Sequence, residues 1–498
     1  MSAKHGAILR GLTTIPHSPS FQGKFGRMFR SLPPAQFGLS ETENLANLHK
    51  LGDAMSSDPD QPKDGQDEEE SGIPALYTYF GQFIDHDITF DPASSLQKQN
   101  DPNALTDFRT PAFDLDNVYG RGPGDQPYMY NGQQFLLGTT INGGDPNATD
   151  LPRNSFNPAR ALIGDPRNDE NSIVSQLQGL LLRFHNRTVS DNPGLSFEDI
   201  QRRVRFHYQY VVMNDFLPRI VDSTVLSHLK TSQKYDPSKL KFFHWKNDPF
   251  MPVEFSVAAY RLGHSMIRPG YRLNDTILLP IFPMQGFPEG LTGFRAMNPA
   301  WGIDWGRFVD LDVRKYDGAD ADKRKRLQFA YRIDTSLVNP LHGLPSTVVG
   351  DAPPSLGERN LVRGWRLGLP SGQSVARAMN ITPLKDKEIL IGKAVDAPEK
   401  PLDDITTVSS VFKGNCPLWA YILAEAMQHR ATVKIPVQED IKISTPQLGP
   451  VGGRIVAEVF LGLLAGDKTS FLNLDPQWQP DSGANYQLKD LVRYALGN

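Results

Sequence analysis

Apolar positions recur with helical spacing at several places along the chain. The clearest set is Ile173, Val174, Leu177, Leu180, Leu181 and Phe184, which form one stripe at i, i+1, i+4, i+7, i+8 and i+11. A second helix is expected from about 197 to 217, and a third from about 254 to 267, stopped by Pro269-Gly270. Near the C-terminus Ile455, Val456, Val459, Phe460, Leu463 and Leu464 make another stripe, closed by Gly466. Upstream, Pro74 sits where a first helical turn accepts proline, and opens a helix carrying FGQFIDHD at residues 80–87. Residues 1–73 are rich in Gly, Pro, Ser and charge. They read as an irregular arm wrapping the core, with the acidic run DGQDEEE (64–70) as a solvated loop. Residues 91–171 are turn-rich, with a short strand at most at 134–141. There are no repeats, heptads or separating linkers. The pattern predicts one large, mainly α domain over 74–498, with long ordered loops and little β.

Composition narrows this little: 39% hydrophobic and 22% charged residues in 498 are ordinary for a globular protein. A net charge of −4 and a pI near 6.3 argue against nucleic acid or an anionic membrane as partner. No apolar run approaches the ~18 residues of a membrane span. The start, MSAKHGAILRGLTTIPHS, lacks an apolar stretch before proline intervenes, so a secretory signal is not expected, although a mature chain with a new Met1 would look the same. Cys416 is the single cysteine, so no intrachain disulfide forms. A cytoplasmic protein and a non-classically secreted one both fit, and the oligomeric state is open.

On a helix, Gln82, Asp85 and His86 lie at i, i+3 and i+4 and share a face, while Asp87 points away. Alone, such a pair reads more readily as a buried histidine satisfied by a carboxylate. In AAYRLGHSMI (258–267), Arg261 precedes His264 by one turn on the same face, again a common pattern with a structural reading. TPAFDLDNVYG (110–120) offers oxygens from Thr110, Asp114 and Asp116 and the Ala112 carbonyl; by itself it is a turn motif more often than a metal site, and it is not an EF-hand.

Together these segments resemble the animal-type haem peroxidases (the peroxidase–cyclooxygenase superfamily), in a disulfide-free, bacterial-like branch. FGQFIDHD resembles the family's distal helix and YRLGHS its proximal one. GDPRNDEN (164–171), LLLRFHNR (180–187) and NLVRGWRLGLP (360–370) follow in family order, so the likeness spans about residues 74–470. It implies His86 and Arg167 as distal catalytic residues, with Gln82 holding water or halide. It implies His264 as the haem-iron ligand oriented by Asn360, with Arg261 and Arg363 toward the haem propionates. Asp85 and Glu170 match positions that form ester bonds to haem. Asp87, Thr110, Ala112, Asp114 and Asp116 match a calcium site, and His185 reads as structural.

The expected function is reduction of hydrogen peroxide through a ferryl intermediate. Halides and thiocyanate, iodide and bromide above all, or phenolic donors are oxidised in turn, in a role fitting response to oxidative stress. Two departures shape this. Asn171 occupies the position where the chloride-oxidising branch carries a haem-bonded methionine, so efficient chloride oxidation is not expected. Arg261 occupies the position of the radical-forming tyrosine of the fatty-acid dioxygenase branch, with Tyr260 one residue off. A dioxygenase on the same fold and a non-catalytic haem-and-calcium adhesion module are the alternatives.

Overall fold

The apolar stripe predicted at 173–184 lies on the helix Ser172–Asp191, which begins where the Asn171 side chain accepts from the backbone N–H groups of Ile173 and Val174. That cap satisfies two of the donors a helix start leaves open. The computed structural model describes residues 23–91, 105–316, 318–349, 353–398, 400–435 and 441–497. The chain start searched for a leader, and residues 92–104 of the turn-rich segment, lie outside the described residues. Ser172–Asp191 packs against Leu76–Ile88, Phe197–Val211 and the C-terminal helix Leu488–Leu496. The second helix runs from Phe197 to Val211 and passes through a π-turn at Val212–Phe216 into Leu217–Ile220. The C-terminal stripe is the helix Gly452–Gly466, buried from Gly452 to Leu464. One contiguous apolar core runs from Phe25 to Ala495. The sheets among the described residues are two- or three-stranded, so the architecture is helical as expected. Of the possible strand at 134–141, only Gln134–Phe135 and a bridge at Thr140 form.

Four expectations need correction. Pro74 does not start a helix: it ends the strand Glu70–Pro74, which pairs antiparallel with Phe329–Tyr331, and the helix spans Leu76–Ile88. The N-terminal segment is not irregular throughout, because Glu41–Ala54 is a 14-residue helix capped by Ser40. The acidic run is not a solvated loop either. Glu70 is 1% exposed, and its carboxylate takes Arg268 at 2.6 Å and Arg326 at 2.7 Å, while Asp64 takes Arg272 at 2.5 Å. Buried carboxylates persist because these arginines pair with them.

The fourth correction bears on the site. The third predicted helix is broken: Val253–Ser256 is followed by a 3-10 helix, Ala259–His264. The Phe255 and Tyr260 rings stack at 4.8 Å and 15°. In an unbroken α-helix residues five apart point ~140° from each other, so this stacking requires the break. Glu254, accepting from the N–H groups of Met28 and Phe29 at 3.0 and 3.1 Å, holds the first piece in place.

Candidate active site

Leu76–Ile88 is buried on most sides, but Gly81, Gln82 and Asp85 keep accessible surface along one face. His86 follows on that face and is itself 4% exposed. Its Nδ1 lies 2.7 Å from the Asn168 side-chain oxygen, and the Asn168 amide nitrogen donates to Gln178 Oε1 at 2.8 Å. Gln178 thus turns the Asn168 oxygen toward the imidazole. In that arrangement Nδ1 carries the proton and Nε2 keeps its lone pair. Nε2 lies 3.7 Å from Glu170 Oε1. Burial, reinforced by Arg167, lowers the His86 pKa to about 3, so the ring is neutral near pH 7 and able to accept a proton.

The short 3-10 helix Pro166–Asp169 delivers Arg167, Asn168 and Glu170 to the same place. Arg167 Nη2 donates to the His86 carbonyl at 2.9 Å and to Asp165 at 2.8 Å, and the guanidinium lies 4.3 Å from the Phe90 ring centre. Burial alone would raise the Asp165 pKa, but Arg109 and Arg167 outweigh it and hold the carboxyl below its usual range. Glu170 accepts from the Gln82 amide, and Gln82 Oε1 accepts from Asn171 at 3.2 Å. Burial raises Glu170 to about 7 and also raises Asp85, against the pull of Arg261 and Arg167. Both lie deep in the molecule, yet the Glu170 side chain keeps 26% exposure, as expected for groups lining an internal crevice.

Opposite stands the 3-10 helix Ala259–His264. Three residues per turn place Arg261 directly over His264. Tyr260 ties this element to the distal helix by donating to the Gly81 carbonyl at 3.2 Å, and Trp419 Nε1 donates to the Arg261 carbonyl at 3.3 Å. His264 Nδ1 lies 2.7 Å from the Asn360 side-chain amide. Asn360 belongs to the helix Leu356–Arg366, which also carries Arg359 and Arg363. Arg363 donates to Asp91 at 3.3 Å. Burial, with the charges of Arg261 and Arg359, lowers Arg363 to about 10.

The resemblance implies haem between these two elements, and the residues present fit it. A Cβ added at Gly263, next to His264, would meet nothing within 4 Å. Three guanidiniums repel one another beside that space, a field suited to carboxylates such as propionates. His264 has its ring orientation fixed by the Asn360 side chain at Nδ1, as a histidine that holds a metal requires.

Asp87, on the far face of the distal helix, meets Asp114 and Asp116, with carboxylate oxygens all within 4.8 Å. Thr110 donates to Asp114 at 2.5 Å, and the Ala112 N–H donates to the Thr110 carbonyl at 2.8 Å. Asp87 is 0% exposed, and neither of its oxygens has a hydrogen-bond partner; the nearby Tyr208 hydroxyl falls outside bonding geometry. Burial drives the Asp87 pKa far up and that of Asp116 to about 8. Three crowded carboxylates, with both Asp87 oxygens and one Asp116 oxygen lacking a partner among the described residues, suit a hard divalent cation.

The structure therefore brings His86, Arg167, Gln82, Asp85 and Glu170 together on one side, and His264, Arg261, Asn360 and Arg363 on the other. His185 is structural: Nδ1 meets the Tyr119 hydroxyl at 2.9 Å and Nε2 the Gln133 carbonyl at 2.7 Å. Sequence reasoning missed Asn168, Gln178 and Asp165. The signal for Asn168 and Asp165 lay inside GDPRNDEN, but nothing in its spacing says that an asparagine will orient a histidine 82 residues earlier.

Residues 94–279 match the family model described as animal haem peroxidase. Among curated proteins, dog (Canis lupus familiaris) thyroid peroxidase is 25% identical over 244 residues, covering 43% of this chain and 24% of that protein. Human (Homo sapiens) myeloperoxidase is 25% identical over 223 residues, covering 40% and 28%. The aligned part thus spans about a quarter of these relatives' length. Peroxidase A from Dictyostelium discoideum superposes with a TM-score of 0.62 at 15% identity, covering 99% of this chain and 97% of that one. Fatty acid alpha-dioxygenase from Oryza sativa gives 0.50 at 16% identity, covering 93% and 77%. At such identities the structural likeness speaks to fold. Among the described residues no helix is long and apolar enough to cross a membrane.

Proposed function

We propose that this chain is an animal-type haem peroxidase of the peroxidase–cyclooxygenase superfamily, as the family model over residues 94–279 and the thyroid peroxidase and myeloperoxidase likenesses support, and that it reduces hydrogen peroxide while oxidising small donors. Iodide, bromide, thiocyanate and phenols are the donors this site suits best. The observation carrying the reading is that His86, held at Nδ1 by Asn168 and kept neutral by burial, sits on a helix packed against the element that carries His264 with its Asn360 partner. His264 would hold the haem and Arg261 and Arg363 would pair with its carboxylates; when bound, the group would supply the redox chemistry. The chain's own residues handle protons and charge. His86 Nε2 takes a proton from one peroxide oxygen and returns it to the other, which departs as water. Arg167, fixed by Asp165 and the His86 carbonyl, presents positive charge where the departing oxygen becomes negative. Gln82, strung between Glu170 and Asn171, leaves little freedom at the crevice wall and admits a small anion or water.

Asp87, Asp114, Asp116 and Thr110 are proposed to hold a structural calcium ion directly behind the distal histidine. Asp85 and Glu170 are proposed as the carboxylates that become ester-linked to haem during turnover. Retention of haem through acid–organic extraction after peroxide exposure, and its release from the Asp85→Val, Glu170→Gln double variant, checks the latter. Asn171 caps a helix, so no sulfur-based link arises there. Steady-state rates with each halide test the donor reading: bromination should far exceed chlorination at neutral pH, and equal rates would contradict it. The dioxygenase reading rests on the shared fold, and the Tyr260 hydroxyl is already committed to the Gly81 carbonyl. Oxygen uptake with linoleate that vanishes in Tyr260→Phe would favour it instead.

A further inference from the structure

Away from this site, at the other end of Ser172–Asp191, that helix, Phe197–Val211 and Leu488–Leu496 line a half-open cavity of about 460 Å³. The crevice lies at the helix's first residue, and Thr188, on the cavity wall, lies ~25 Å along its axis at 1.5 Å per residue. The volume falls in the ~300–1,000 Å³ range of small-molecule pockets.

Aromatic rings make much of the wall. Phe184 and His207 meet edge to face at 5.6 Å, His207 and Tyr486 at 5.3 Å, and Phe184 and Tyr494 at 4.9 Å. The charged groups around it are internally matched. Asp191 is engaged by Arg187 and the Tyr494 hydroxyl, Asp481 by Arg203, and Asp490 by Arg493. Three carboxylates stand against three guanidiniums, so no net charge draws an ion into the cavity in preference to a neutral molecule. His207 supplies this wall with a hydrogen-bond acceptor. His207 Nδ1 donates to the Arg203 carbonyl at 2.7 Å, which fixes the proton there, and Nε2 has no hydrogen-bond partner among the described residues. Burial lowers the pKa of this ring, keeping Nε2 an acceptor rather than a donor.

We propose that this cavity binds a neutral phenol, its ring against Phe184, Tyr486 and Tyr494 and its hydroxyl donating to His207 Nε2. Aromatic walls favour a flat ring by edge and face contacts, and the His207 acceptor calls for an O–H donor on that ring. This site is separate from the catalytic crevice and does not rest on the peroxidase reading.

The test is a titration of the haem-loaded protein with 4-fluorophenol, followed by fluorine NMR without peroxide, against benzoate and fluorobenzene as anionic and hydroxyl-free probes. Two variants report on the cavity alone. His207→Phe keeps a ring and removes the acceptor, and should weaken binding about fivefold, the worth of one hydrogen bond. Ser482→Trp, at an exposed position on the cavity wall, fills the space without touching the core and should weaken binding at least roughly tenfold. Failure of 4-fluorophenol to bind, affinity unchanged in Ser482→Trp, or binding of benzoate or fluorobenzene as tight as that of the phenol would each overturn the proposal. A phenol bound only in the catalytic crevice would show itself by indifference to both variants.

Discussion

A histidine can act as a base only if one nitrogen is free and the ring uncharged, and at His86 both conditions come from neighbours. Gln178 orients Asn168, Asn168 takes the Nδ1 proton, and burial beside Arg167 keeps the ring neutral. Asn168→Ala should therefore leave haem content unchanged while lowering kcat/KM for peroxide by roughly 10–100-fold, the usual effect of removing an orienting partner. Stopped-flow rates with peroxide, normalised to the Soret absorbance, measure this; an unchanged rate would show that the tautomer is set by something else. The residues proposed for catalysis were legible as candidates in the sequence because each sits in a contiguous motif with its own periodic setting. Asn168 was not, since its role depends on which way an amide turns, and that is decided by Gln178 a helix away.

Helices with a wide apolar stripe and a capping side chain formed where the pattern put them, as with Ser172–Asp191 and its Asn171 cap. The proximal element did not, because one ring contact, Phe255 on Tyr260, outweighs the continuity that the local pattern favours. Caps supplied from a distance were equally invisible. Gly452–Gly466 has no side-chain cap of its own, and Glu425 accepts from the N–H groups of Val451 and Gly452 at 3.0 Å. Burial raises Glu425 to about 7 from 4.5. A folded pKa above the unfolded one means that this contribution to stability is whole below pH ~4.5 and is lost as pH climbs to about 7. At ~1.4 kcal/mol per unit the loss is about 3 kcal/mol. Glu425→Gln should flatten that part of the stability profile between pH 4.5 and 7 in denaturant titrations, and a slope as steep as wild type's would refute the assignment.

Across the whole molecule, the pairings that sequence could not show are those between remote segments. The acidic run looked solvated because its partners, Arg268, Arg272 and Arg326, lie some 200 residues or more away. The carboxylate cluster proposed for calcium is likewise shared between Asp87 on the distal helix and the loop at 110–116, so an ion there would tie loop to helix immediately behind His86. Removing calcium by strong chelation should lower unfolding stability by about 3 kcal/mol or more, and disturb the haem spectrum in the same transition. Asp114→Ala should start from that lowered stability and ignore the chelator. Metal analysis finding no calcium in active, haem-loaded protein would sink the idea.

The central claim is that His86 and His264 face one another across a haem that reacts with peroxide. Its most direct test is the visible absorption of haem-loaded protein before and after one equivalent of hydrogen peroxide. The account predicts a Soret band that shifts within seconds and returns when iodide is added. His86→Ala should slow the shift by at least ~100-fold, and His264→Ala should lack the histidine-ligated spectrum from the outset. A Soret band indifferent to equimolar peroxide in wild type, or a normal spectrum and normal response in His264→Ala, would contradict it.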